Sequence, residues 1–170
     1  MKIIEYSPEY TDAVKNLLTE LQGHFADLDS EKYNILTEQF RDKYFEKTIE
    51  EVKEHNGKIL LSKEDDKITG LIIGIINNEA ENSFCFCAPK RGRITELIVS
   101  EKFRSQGTGK LLLEKMEEFF KESGCEDVLL EVFGSNKEAQ KFYCSNGYSE
   151  RTIETVSYTH LRAHETSQDL

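Results

Sequence analysis

The sequence predicts a mixed α/β fold, a mostly antiparallel sheet flanked by helices, and three observations carry that expectation. Val14, Leu17, Leu18 and Leu21 recur at helical spacing. Two apolar, β-branched runs at residues 58–62 and 68–76 flank the turn Lys63-Glu64-Asp65-Asp66-Lys67, the pattern of an antiparallel hairpin. A strand-like stretch at 93–99 then leads through Gly107 and Gly109 into a helical one at 109–122.

Taken in order, residues 2–6 read as a short first strand, and Pro8 opens the first helix. Residues 30–55 are charged, with Tyr33, Leu36, Phe40, Tyr44, Phe45, Ile49 and Val52 as apolar beats. They predict one or two helices capped by Ser30 and broken by His55-Asn56-Gly57. After the hairpin, residues 77–92 are polar and less regular, although 84–87 suit a strand extension. The helix at 109–122 turns Leu112, Met116, Phe119 and Phe120 inward. A strand follows at 127–133, on which Val128, Leu130 and Val132 alternate with Leu129, Glu131 and Phe133. A last helix spans 136–145, and a final strand starts at Tyr148. The order is βααβββαβαβ, and with no internal repeat or linker it reads as one domain.

Composition narrows the function classes. The 170 residues are 38% hydrophobic and 32% charged, which suits a globular chain able to bury a core. No apolar run approaches the roughly 20 residues that span a bilayer, and residues 1–5 lack an apolar targeting region. The expectation is therefore a cytoplasmic protein without a membrane partner. A net charge of −10 argues against nucleic acid, whose phosphates need clustered cations. It is compatible with a cationic substrate drawn to an acidic mouth, with ordinary solubility as the favoured reading. Four cysteines do not change the compartment. Cys85 and Cys87 would sit about 6.5–7 Å apart on one strand face, too tight an arrangement for an ordinary disulfide. The histidines are scattered, so no metal site is expected.

The densest chemistry lies between Glu96 and Lys110. Glycines at a strand-to-helix turn let the backbone fold sharply and let a ligand approach. The amides of a first helical turn converge with the positive end of the helix dipole, a site for phosphate or pyrophosphate. Arg104 adds a forked cation and Lys110 a point charge. A Walker turn would need Gly in place of Arg104 and Ser or Thr in place of Leu111, and a dinucleotide fingerprint would need Gly in place of Leu112. The pattern present is Arg-x-x-Gly-x-Gly, preceded by Glu96-Leu97-Ile98-Val99 and followed by a leucine-rich helix. It resembles the acetyl-CoA signature of the GNAT superfamily of N-acetyltransferases.

A second block, from Val132 through Asn136, Ala139, Phe142-Tyr143 and Asn146-Gly147-Tyr148, resembles the closing block of the same family, in its order and at its separation. The resemblance covers residues 1–155, read as the acetyltransferase domain. From Val156 the sequence instead resembles one reading frame of a sequencing-library adapter, so 156–170 are expected to be a non-native tail, and His160 and His164 carry no role.

The resemblance implies an acetyltransferase that moves an acetyl group from acetyl-CoA to a primary amine, of a small molecule or a protein, with both substrates bound together. Backbone amides of Leu97, Ile98 and Val99 would hold the pantetheine arm and polarise the thioester carbonyl. Splay between this strand and the one at 127–133 would admit that arm. Arg104, Ser105, Gln106, Gly107, Thr108, Gly109 and Lys110 would bind the pyrophosphate, and Asn136 would bond the pantetheine amide or simply cap its helix. Tyr143 matches the family's general acid for the departing thiolate, with a packing tyrosine as the alternative. Glu96 is the candidate base, since burial on a strand beside the cofactor would raise its pKa; a solvent-facing strand residue is the alternative. Glu131 is a weaker candidate, and Cys144 would serve only a covalent route. The acceptor and the assembly state stay open, a homodimer included. Two other classes compete: an inactive acyl-CoA-binding sensor, and a nucleotide-binding domain.

Overall fold

A computed structural model describes residues 1–77 and 89–156. Its elements in chain order are β1 (Lys2–Glu5), α1 (Thr11–Leu28), α2 (Phe40–Glu54), β2 (Lys58–Glu64), β3 (Lys67–Asn77), β4 (Arg91–Val99), α3 (Thr108–Glu122), β5 (Asp127–Leu129) and α4 (Lys137–Ser145). The chain divides into two compact units, Met1–Lys137 and Glu138–Leu170. The first carries a five-stranded sheet in the order β1-β2-β3-β4-β5. Pairing is antiparallel from β1 to β4 and parallel between β4 and β5.

Alternation along the strands supplies the two faces of this sheet. On one face Ile59, Leu61, Leu71, Ile73 and Ile98 pack with Val14, Leu17, Leu18 and Leu21 of α1 and Phe45 of α2. On the other lies α3, which buries Leu112, Leu113, Met116 and Phe120. Leu113 is buried where sequence spacing pointed to Phe119. The Phe119 ring is only partly covered and lies 4.9 Å from the Lys58 ammonium. Gly92 makes room for α3, since a Cβ there would lie 2.4–2.7 Å from three atoms of the Phe120 ring.

One irregularity in β4 places the site. Ile73 faces Glu96 but Gly74 faces Ile94, so Thr95 is an extra residue on β4. Ile94 and Glu96 would otherwise share a face. The bulge puts Ile94 opposite Gly74, whose missing Cβ would meet Met116 and Phe120 of α3, and turns Glu96 with Ile73 toward α1 and α2.

Three expectations are corrected. Ser30 caps no helix. The Asp29 carboxylate accepts from the amides of Glu31 (3.0 Å) and Asn34 (2.8 Å) and from the Asn34 side chain (2.9 Å), local bonds that compete with helix formation. The helix therefore waits until Phe40. The strand expected at 127–133 keeps only Asp127–Leu129, because beyond Leu129 the chain turns toward α1, with Phe133 at 5.5 Å from Phe25 and Ser135 bonded to the Leu28 carbonyl (3.2 Å). No strand forms over residues 148–156. The strand extension expected at 84–87 lies outside the described residues.

Candidate active site

The turn after β4 is built by two left-handed residues. Ser105 has φ 61° and Gly107 φ 81°, and α3 starts at Thr108. Arg104 is tied back to the end of β4, its Nε donating to the Val99 carbonyl at 2.9 Å. Among the described residues, no acceptor meets the amides of Ser105, Gln106, Gly107, Thr108, Gly109 and Lys110. They open toward solvent at the positive end of a 15-residue helix. A Cβ on Gly107 would meet nothing within 4 Å, so no described atom crowds that side of the turn. Lys110 reaches Glu114 at only 3.7 Å on an exposed surface. Thr108 differs from its neighbours, since its side chain is buried and its hydroxyl points to the Met1 sulfur (3.0 Å). Only its amide belongs to the turn.

The edge of β4 leading into the turn is open. β5 pairs with Arg91, Gly92 and Arg93 and then ends, so Leu97, Ile98 and Val99 have no partner strand on that side among the described residues. The Ile98 side chain is locked into the core below α1, leaving backbone as its contribution at the edge. The β4–β5 gap is anchored at its closed end by Arg91 on Asp127 (2.9 Å) and Arg93 on Glu131 (2.7 Å). Glu131 is therefore an exposed ion-pair partner.

Glu96 lies three residues before that edge ends and is 8% exposed. Burial drives its carboxyl up to about 7; the Tyr44 hydroxyl, donating to Oε1, opposes the rise, and the charge of Glu51 adds to it. Tyr44 is held protonated well above the ordinary phenol range by burial and by the Glu96 charge, so it is the donor in this pair. Tyr44 and Glu51 stand seven residues apart on α2, which puts them on one face two turns apart. Thr48, between them, is buried and bonds the Tyr44 carbonyl (2.8 Å). Glu96 stands out in the sequence, whereas Tyr44 reads there only as an apolar beat. Its one signal was the seven-residue spacing to Glu51 on a helix otherwise rich in charge.

In the second unit, Tyr143 lies on α4 within an aromatic group, its ring at 5.2 Å from Phe142 and 5.6 Å from Tyr148, both edge-on. Gly147 ends the helix with φ 90°, and the Tyr148 amide reaches back to the Tyr143 carbonyl (3.1 Å). Cys144 is exposed on the same helix. Asn136 immediately precedes α4 in the chain, its amide donating to the Phe133 carbonyl (2.9 Å). Among the described residues no cluster of side chains suits a metal ion, and no helix is long and apolar enough to cross a membrane.

Among the described residues, an open strand edge thus runs into a glycine turn whose amides meet no acceptor, an arrangement that suits an anion. The model of the acetyltransferase (GNAT) family matches residues 22–148. The chain belongs to the GNAT family. It is an acyltransferase, of a family whose members act on amines. Glucosamine 6-phosphate N-acetyltransferase from Arabidopsis thaliana is 25% identical over 123 residues, which is 72% of this chain and 80% of that protein. Its crystal structure superposes with TM-score 0.62 at 23% identity, covering 93% of this acetyltransferase and 97% of that chain. A tetramutant of the BH1408 protein from Bacillus halodurans shares the fold more closely, with TM-score 0.73 at 21% identity and coverage of 92% and 100%. An aminoglycoside acetyltransferase from an uncultured soil metagenomic sample has TM-score 0.64 at 18% identity, with coverage of 93% and 95%.

Proposed function

We propose that this acetyltransferase moves the acetyl group of acetyl-CoA to a primary amine by direct attack in a ternary complex. The observation that carries the reading is the pairing, on one strand, of a buried carboxyl poised near pH 7 with an edge that is open among the described residues and ends in six amides without an acceptor there. The pyrophosphate takes the turn of residues 104–110, where convergent amides, Arg104 and Lys110 suit its charge. The pantetheine arm lies along the free edge of Leu97, Ile98 and Val99 and bonds Asn136, and a backbone amide of β4 polarises the thioester carbonyl.

The chemistry then balances with two proton carriers. Glu96 accepts the proton that the attacking nitrogen must lose, and a base whose pKa lies near the working pH is the efficient kind. The nitrogen bonds to the carbonyl carbon, the carbon–sulfur bond breaks, and the Tyr143 hydroxyl protonates the departing thiolate. No metal takes part. Residues 1–155 are the acetyltransferase domain in this reading, and 156–170 an adapter-derived tail without a role. The similarity to an enzyme named for a small amino sugar supports a small amine as acceptor.

Initial-velocity kinetics test the order of events. Intersecting double-reciprocal lines with acetyl-CoA and amine are expected for a ternary complex. Parallel lines, together with an acetylated Cys144 in the absence of amine, would replace direct attack by a covalent route. Release of CoA independent of any amine would leave no acetyl transfer at all.

A further inference from the structure

A hollow of about 290 Å³ opens at the start of α2, lined by Thr37, Gln39, Phe40, Lys43, Tyr44 and Lys47. The four helical residues recur at three- and four-residue steps and so form one stripe of α2. Phe40 and Tyr44 make a flat wall, their rings stacked at 4.7 Å with 16° between planes. The hydroxyl of that same Tyr44 donates to Glu96, so one side chain touches both the hollow and the carboxyl.

The charge of the hollow runs against that of the chain. The protein carries a net charge of −10, yet this lining has two lysines and no acid. Glu46 and Glu50 follow Lys43 and Lys47 by three positions, but among the described residues neither lysine ion-pairs with an acid, while Lys15 and Arg41 nearby both do. Like charges four apart on a helix repel. Two exposed lysines lining one hollow beside Thr37 and Gln39 offer positive charge to an anionic ligand. Its volume is close to the lower end of the range for small-ligand sites.

We propose that this hollow is the acceptor subsite, and that it selects small primary amines that carry an anionic oxygen group, phosphate or carboxylate, at the end away from the nitrogen. The proposal rests on the acetyl-transfer reading above. Lys43 and Lys47 hold the anion, the Phe40–Tyr44 wall covers the carbon skeleton, and the nitrogen is directed past Tyr44 to Glu96.

The test uses the full chain at saturating acetyl-CoA with matched acceptors: ethanolamine against O-phosphoethanolamine, and propylamine against β-alanine. The anionic member of at least one pair is expected to show tenfold or higher kcat/KM, and the pair that responds distinguishes phosphate from carboxylate. The double variant Lys43→Ala, Lys47→Ala should lose that preference at least tenfold through KM, with the neutral amines and acetyl-CoA affinity unchanged. Both lysines are exposed, so the variant keeps its core. Equal use of both members of each pair, or a preference that survives the double variant, overturns the subsite. Should no amine be acetylated, the acetyl-transfer reading fails by itself. The subsite is then decided by amide NMR titration with O-phosphoethanolamine: shifts centred on residues 37–47 that vanish in the double variant uphold it, and their absence overturns it.

Discussion

At the scale of single residues, Glu96 concentrates the consequences of the fold. Its folded pKa of about 7 lies above the ordinary 4.5, so the folded state holds this proton more tightly than the unfolded chain. The contribution of Glu96 to stability is therefore greatest below pH 4.5 and falls as pH rises toward 7, the full penalty applying above 7. Glu96→Gln should raise the unfolding free energy at pH 8 by about 1–3 kcal/mol, and the gain should shrink to nothing near pH 4.5. Denaturation at both pH values checks this. The same variant should lower kcat/KM and abolish the acidic limb of its pH profile near 7. A limb that survives in the variant and moves with the pKa of the amine belongs to the substrate, and Glu96 is then not the base. Tyr143→Phe keeps the ring and loses the donor, so kcat should fall about a hundredfold with acetyl-CoA affinity unchanged. A loss below roughly threefold would make Tyr143 a packing residue. Glu96 was legible in the sequence as a carboxyl on the strand leading to the turn. Tyr44 was not, because its role depends on the Thr95 bulge aiming Glu96 at α2, and a bulge leaves no mark on strand alternation.

At the scale of elements, the β4–turn–α3 unit is the part most fully written in local chemistry. Gly107 is named by its left-handed φ, and the open space before it is where a phosphate would come. Gly107→Val strains that φ and fills that space. Acetyl-CoA affinity should drop at least tenfold, about 1.4 kcal/mol or more by calorimetry, and unchanged affinity in a folded variant removes the turn from the binding site. Gly92 speaks to packing instead. Gly92→Ala forces a methyl into the Phe120 ring, and overpacking of this kind costs about 1–3 kcal/mol, to be read as a lower denaturation midpoint. Two of the elements that sequence misplaced have ends set by non-local or side-chain contacts. Asp29 takes the backbone bonds that Ser30 was expected to organise, and Phe133 leaves the strand for Phe25. The shortening of β5 is what opens the edge of β4.

At the scale of the whole molecule, the order of elements and the two motif blocks were enough to place the chain in its family, because both are local patterns that need no tertiary contact to be seen. The acceptor was not legible in that way. A net charge of −10 pointed, if anywhere, to a cationic ligand, whereas the folded chain gathers Lys43 and Lys47 around one hollow. Net charge sums over a surface that folding divides into separate sites. The account stands or falls on whether acetyl groups cross from a thioester to an amine. The direct measurement is carbon NMR of the full chain with carbonyl-labelled acetyl-CoA and a panel of small amines. The account predicts that label leaves the thioester only when an amine is present and appears as its amide, one for each CoA released. Bound acetyl-CoA whose label stays in the thioester with every amine, or passes to acetate, would contradict it.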